Sequence, residues 1–279
     1  MVDLSRSLEI AAATHTGMVR SHNEDTIGSD PSIGLAVLAD GMGGYNAGEV
    51  ASGIAVALVT KQTRELLSRM GAARPEEGDR RQIAAEILTD AITHANNSIF
   101  HAASSQPQYS GMGTTLVVAL LADNFINVAH VGDSRMYRLR GDDLVQLTRD
   151  HSLLQEQIDS GMITREMARR SQNKNLVTRA VGIEPAVDPE INSFEVREGD
   201  TYLLCSDGLN DMVEDDDIHL TLTSLQANLP LAANQLVQMA NDNGGRDNVS
   251  VILVQVRKPF PASPGLLGRL KNWFGKNGD

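Results

Sequence analysis

Short apolar runs bounded by turn residues recur along this chain, and each reads as a buried strand. The first is Leu8-Glu-Ile-Ala-Ala-Ala-Thr14; a polar turn follows around Arg20 to Asp25, then a run from Gly34 to Asp40. Beyond Gly41-Met-Gly-Gly44 the period changes. Val50, Ile54 and Leu58 recur at a spacing of four, with Ala51, Ala55 and Val59 alongside, which predicts a long helix. A polar, glycine-containing stretch from Gly71 to Asp79, with Pro75, ends it. Ile83, Ile87, Ala91, Ala95 and Ile99 then share one face of a second helix. Strands are predicted over 114–121, 125–131 and 136–140, and the Gly141-Asp-Asp143 turn before Leu144-Val-Gln-Leu147 predicts a hairpin. Residues 148–180 are polar with only a weak helical pattern at Leu153, Leu154 and Ile158, and read as an inserted flap. A strand ending at Asp207, two helices over about 209–222 and 228–243, and a last strand over 248–256 complete the pattern.

Two helices between blocks of strands, and two more before a final strand, do not give the regular alternation of a parallel fold. They predict an α+β architecture in which sheets pack together with helices outside. With 279 residues and 41% hydrophobic content, the chain can build one large domain with a substantial core. The expected division is a domain over 1–258 and a tail over 259–279. Only 4% is aromatic, so packing must rest on Ala, Val, Leu and Ile.

Charge narrows the function. Lys plus Arg is 24 against Asp plus Glu 36, a net charge of -12, which leaves no basic excess to displace counterions from nucleic acid. Cys205 is the sole cysteine, so no intrachain disulfide can form. It sits in a strand-like run and is expected to be a small buried hydrophobe. No window is apolar enough to span a membrane and the amino terminus does not read as a signal peptide, so the cytoplasm is the expected compartment.

Four aspartates stand where apolar runs meet glycine, serine or asparagine: Asp40, Asp133, Asp207 and Asp247. Any one alone would be an ordinary turn signal. Together they place carboxylates at the mouths of rigid strands, where they repel one another unless a cation neutralises them. Oxygen-only ligands of this hardness suit Mg²⁺ or Mn²⁺. The pattern predicts a hydrolase built around a polynuclear metal centre.

The segments Gly17-Met-Val-Arg20-Ser-His-Asn23-Glu24-Asp25, Ala39-Asp40-Gly41-Met42-Gly43-Gly44, Gly111-Met-Gly-Thr114-Thr115, Val131-Gly-Asp133-Ser-Arg135, Ser206-Asp207-Gly208 and Asp247-Asn248 occur in this order. The set resembles the metal-dependent protein phosphatases (PPM, type 2C serine/threonine phosphatases), most closely the bacterial branch, over roughly residues 8–256. The resemblance implies a central antiparallel β-sandwich flanked by pairs of α-helices (αββα). It implies two Mn²⁺ or Mg²⁺ ions, with a third in bacterial members, and hydrolysis of phosphoserine or phosphothreonine by metal-activated water.

By the same resemblance Asp40 bridges two metals, with the Gly41 carbonyl on the second. Asp207 and Asp247 hold the first, and Glu24 reaches the second through water. Asp133 with Asp207 holds the third, Asp25 orients a water, and Arg20 binds the phosphate through its planar guanidinium. Arg20, Asp40, Asp207 and Asp247 are therefore the expected catalytic set. Thr114 and Thr115 are expected to be structural. The chain departs from many eukaryotic members in one place: Met42 stands where they carry a histidine that donates a proton. His22 and His151 are candidate replacements, weighed as ordinary polar histidines and left outside the core site.

Phosphorylated proteins are the expected substrates, opposed to a serine/threonine kinase, and a monomer is the expected state. The alternatives are an inactive binding module on the same fold and a phosphatase of a small metabolite. The flap cations Arg165, Arg169, Arg170, Lys174 and Arg179 read equally as a solvated face or as substrate attraction. The basic amphipathic stretch Leu266–Phe274 is expected to be a disordered or packed terminus, with surface docking the lesser reading.

Overall fold

The computed structural model describes residues 3–44, 47–70, 77–164, 167–168, 171 and 176–260. In chain order the elements are β1 (Leu8–His15), β2 (Asp25–Asp30), β3 (Leu35–Met42), α1 (Ala47–Met70), α2 (Glu77–Ser105), β4 (Gly113–Thr114), β5 (Leu116–Ala122), β6 (Phe125–Val131), β7 (Arg135–Arg140), β8 (Asp143–Gln146), α3 (Leu153–Asp159), β9 (Glu190–Glu195), β10 (Thr201–Cys205), α4 (Asp207–Asn210), α5 (Asp215–Ser224), α6 (Leu229–Asp242) and β11 (Val249–Val256). They form two sheets, a five-stranded one in the order β1-β11-β10-β7-β8 and a six-stranded one in the order β2-β3-β5-β6-β9, with β4 added on β3. Every pairing is antiparallel.

Alternation along the strands explains why their sequences are nearly continuous apolar runs. Successive side chains of a strand point to opposite faces. Ala36 and Leu38 of β3, Val117 and Ala119 of β5, Tyr202 and Leu204 of β10, and Ile252 and Val254 of β11 fill the space between the sheets. Their neighbours Leu35, Val37, Leu116 and Val118 face outward onto α1 and α2. Leu203, Val251 and Leu253 face outward onto α5 and α6. The central strands are therefore buried on both faces, and the molecule is an αββα sandwich, as the sequence pattern predicts.

Local chemistry sets the turns. Asp123 and Asn124, at φ 52° and 60°, form the two-residue turn between β5 and β6, a conformation these residue types tolerate. Ser152 caps α3 by accepting from the Gln155 N–H at 3.2 Å. Asn228 caps α6 through Leu231 N–H at 3.1 Å.

Several boundaries differ from the sequence reading. Strands β2 and β9 are additional. Their sequences, Asp-Thr-Ile-Gly-Ser-Asp and Glu-Ile-Asn-Ser-Phe-Glu, carry little apolar pattern because both lie at sheet edges. The helix predicted over 209–222 is two, α4 and α5, separated by a turn at Asp211–Glu214. Helix α2 begins at Glu77, inside the stretch read as a break. On α1 the face against the sheet is the small one, with Ala51, Ala55 and Val59 fully buried while Val50, Ile54 and Leu58 are only partly so.

The flap leaves the domain through two adjoining strands of backbone. Leu153 N–H donates to Leu176 O at 2.9 Å and Thr178 N–H to His151 O at 2.8 Å. Within it, Arg165, Arg169, Arg170 and Lys174 lie outside the described residues, as does the tail from 261 onward. Phe260 is buried in the inter-sheet core. Among the described residues, no helix is long and apolar enough to cross a membrane.

Candidate metal centre

Antiparallel topology decides where the acidic residues meet. The carboxyl ends of β3, β6 and β10 and the amino end of β11 all lie at one edge of the sandwich, so Asp40, Asp133, Asp207 and Asp247 come together there. Asp25 joins them, opposite Asp40 in the β2–β3 register.

Each is held by its backbone. The Asp40 carbonyl accepts from Thr115 N–H and Thr114 Oγ1, both at 2.8 Å, so the two threonines carry the end of β3. Thr115 Oγ1 also lies 2.7 Å from Ser134 Oγ, beside Asp133. Gly208, after Asp207, permits the start of β11 to approach, since a Cβ there would lie 1.9 Å from the Asn248 carbonyl. Gly41 meets the same constraint: a Cβ would lie 2.1 Å from Gly48 O.

The electrostatics follow from crowding. Burial, and then the charges of Asp25, Asp207, Asp133 and Asp247, hold the Asp40 carboxyl well above its usual range. Asp207 is raised in the same way, by burial and then by Asp133 and Asp247. Burial and Asp150 push Asp133 up to about 7. Burial pushes Asp25 to about 6 against the lowering effect of its hydrogen bonds to Ser250 and Ser206. Glu24 is raised by burial, offset in part by Arg20. The Asp207 Oδ1 and Asp25 Oδ1 atoms are buried without a hydrogen-bond partner. Beside Asp133 and Asp207, a cavity of about 200 Å³ runs under the flap past Arg135, Asp150, Asp211 and Asp215.

The donors converge without closing into one cage. Asp247 Oδ2 accepts from Arg20 Nη2 at 2.7 Å, so Arg20 is paired with an expected metal ligand. Among the described residues, the trio whose ligand atoms all lie within 4.8 Å of one another is instead His130, His151 and Glu190. Hydrogen bonds occupy part of that trio, and the buried His151 Nε2 has no hydrogen-bond partner. His130 Nε2 donates to Arg149 O at 2.8 Å, the rings stack at 4.6 Å, and His151 Nδ1 accepts from Gly132 N–H at 3.2 Å. That bond puts the His151 proton on Nε2, 3.6 Å from Glu190 Oε2. Burial, His130 and Arg179 lower the His151 pKa to about 4. His22 is exposed on the loop before Glu24. Buried Cys205 is pushed up to about 12 by burial, so it is no nucleophile at neutral pH.

The donor set fits divalent cations of the Mn²⁺ or Mg²⁺ type. It is all oxygen, its carboxylates repel one another, and one buried oxygen of Asp207 lacks any other partner.

Sequence reasoning missed the residues that hold this edge together. Asn248 Oδ1 accepts from Glu24 N–H at 2.7 Å, and its Nδ2 donates to Thr16 O and His22 O, each at 2.9 Å. Ser206 Oγ donates to Asp25 Oδ2 at 2.8 Å. Ser52 Oγ donates to Glu24 O at 2.6 Å. The signal for Asn248 was its place directly after Asp247, and for Ser206 its place directly before Asp207; for Ser52 no signal existed.

Comparison with known proteins places the fold in a family. The chain is 38% identical over 245 residues to the serine/threonine phosphatase stp of Listeria innocua, covering 87% of this chain and 93% of that protein. The crystal structure of the phosphatase Stp1 from Staphylococcus aureus superposes with a TM-score of 0.80 at 34% identity, covering 92% of this chain and 98% of that one. The catalytic domain of the phosphatase PstP, solved in complex with 2 manganese ions, gives 0.76 at 36% identity, covering 90% and 99%. The pattern of the family described as Protein phosphatase 2C matches residues 17–242. The chain therefore belongs to the protein phosphatase 2C family.

Proposed function

We infer that this chain is a metal-dependent protein serine/threonine phosphatase, and that Asp40, Asp207, Asp247, Asp133, Glu24 and the Gly41 carbonyl hold its Mn²⁺ or Mg²⁺ ions. The observation that carries the reading is the convergence of mutually repelling carboxylates at one edge, with a buried Asp207 oxygen that nothing else satisfies. Cations bound there would neutralise that charge and lower the pKa of a water molecule that attacks phosphorus.

The chain's own groups do the rest. Arg20 is anchored by Asp247, with its side chain 51% exposed, and so presents a planar fork to phosphoryl oxygens. It both orients the phosphate and offsets charge that builds on it. Thr114 and Thr115 fix the Asp40 backbone, and Asp25, opposite Asp40 in the β2–β3 register, is braced by Ser206. Met42 cannot donate a proton; of the two histidine candidates, His151 is buried in its stack and His22 is exposed on the loop before Glu24. Phosphoproteins made by a serine/threonine kinase are the substrates this reading implies.

The test is hydrolysis of a phosphothreonine peptide with Mn²⁺, with Mg²⁺ and with chelator, for the wild type and Asp207→Ala. Turnover with either metal, none with chelator, and a loss of about 100-fold or more in the variant are expected. Turnover that survives chelation would overturn the reading.

A further inference from the structure

The loop that leads into Arg20 is pinned at Gly17, at Met18 and on both flanks, yet it displays two large apolar side chains. Gly17 sits at φ 82°, and a Cβ there would lie 2.2 Å from the Asp247 carbonyl, so the loop rests directly on the backbone of the acidic edge. Gly17 N–H donates to His15 Nδ1 at 2.9 Å, and Met18 N–H to Gly245 O at 2.7 Å. Asn248 fastens both flanks, through Thr16 O and His22 O at 2.9 Å. Met18 lies on a second glycine, since a Cβ on Gly245 would come within 2.6 Å of Met18 Cγ. Despite this anchoring, Met18 is 66% and Val19 69% exposed. Neither contributes to any of the apolar cores. Most of both side chains is therefore left facing water, outside the apolar cores.

Its position gives it a use. Met18 and Val19 immediately precede Arg20, whose guanidinium lies 2.7 Å from Asp247. An extended peptide advances about 3.3 Å per residue. A chain whose phosphate meets Arg20 can therefore bring a residue a few positions away within reach of Met18 and Val19, the two residues before Arg20. We propose that Met18 and Val19 form a preorganised docking step for phosphoprotein segments that carry an apolar side chain beside the phosphorylated residue. The step contributes to recognition because the backbone at Gly17 and Met18 is already held before the substrate arrives. The flexible thioether of Met18 accepts apolar groups of varied shape, so the preference is for a class of side chain.

This inference rests on the phosphatase reading, and its test separates the two. Three substrates are compared with Mn²⁺: a phosphothreonine peptide with leucine at the flanking positions, the same peptide with serine there, and p-nitrophenyl phosphate. The wild type should favour the leucine peptide, and Met18→Ser/Val19→Ser should lose about 10-fold in kcat/KM on it, through KM. The other two substrates should stay within about twofold, and Met18→Leu/Val19→Ile should restore the preference. Equal wild-type turnover of both peptides, or an equal loss on all three substrates, would overturn the docking step while leaving the phosphatase intact. No turnover of any of them by the wild type would overturn both.

Discussion

Asn248 ties three stretches of backbone with one side-chain amide. Its oxygen takes the Glu24 N–H, and its nitrogen serves the carbonyls of Thr16 and His22. The side chain is buried, at 4% exposure, so alanine there would leave these groups unpaired or open the loop to water. Asn248→Ala should lower stability by about 2–4 kcal/mol, read from the urea midpoint. It should also slow turnover of a phosphopeptide and of a small aryl phosphate alike, because Glu24 and Asp247 lose their alignment together. An unchanged midpoint would contradict this. The contrast with the aspartates explains what the sequence can disclose at this scale. Asp40 and Asp207 announce themselves because each ends a local apolar run. The partners of Asn248 are more than 220 positions away along the chain, and no local pattern encodes a bond of that kind. The same distance hides Ser206, whose partner Asp25 is 181 positions back.

At the scale of elements, the strands buried on both faces were legible as apolar runs, and the long helices as a period of four. β2 and β9 were not. Their identity comes from pairing with Leu35–Asp40 and Phe125–His130, which is supplied by the fold and only weakly by their own polar residues. Helix α1 shows a subtler gap between pattern and packing. The period of four leaves open which residues face inward; Ala51, Ala55 and Val59 are fully buried, while Val50, Ile54 and Leu58 pack at the margin. Gly28 on β2 is part of the same fit, since a Cβ there would lie 2.7 Å from Val56 Cγ1. Ala55→Leu should therefore overpack this seam and cost about 1–3 kcal/mol, seen as a lower thermal midpoint. Leu220→Ala, on an exposed position of α5, should be nearly silent by comparison. A tolerated Ala55→Leu would mean that the helix and sheet are less closely seated than this packing requires.

For the whole molecule, the acidic edge couples folding to pH and to metal. Asp25 and Asp133 are raised to about 6 and about 7, and Asp40 and Asp207 lie well above the usual carboxylate range, burial being the leading cause in each. A carboxyl group raised in the folded state holds its proton more tightly there than in the unfolded chain. Its contribution is complete below about pH 4 and is lost as the pH rises through the folded-state value. Metal-free protein should therefore become less stable between about pH 5 and pH 8, by on the order of 3 kcal/mol. Divalent cations held there, as proposed, would act on the other form. They would bind the deprotonated carboxylates, so stabilisation by Mn²⁺ should grow over the same window, and a hundredfold excess over its dissociation constant would add about 2.7 kcal/mol. Thermal unfolding with chelator and with Mn²⁺ at several pH values checks both halves. The chelator curve should fall with pH, the gap between the curves should widen, and Asp133→Asn should flatten the fall. A metal-free midpoint that rises from pH 5 to pH 8 would show that these carboxylates do not repel one another as their crowding requires.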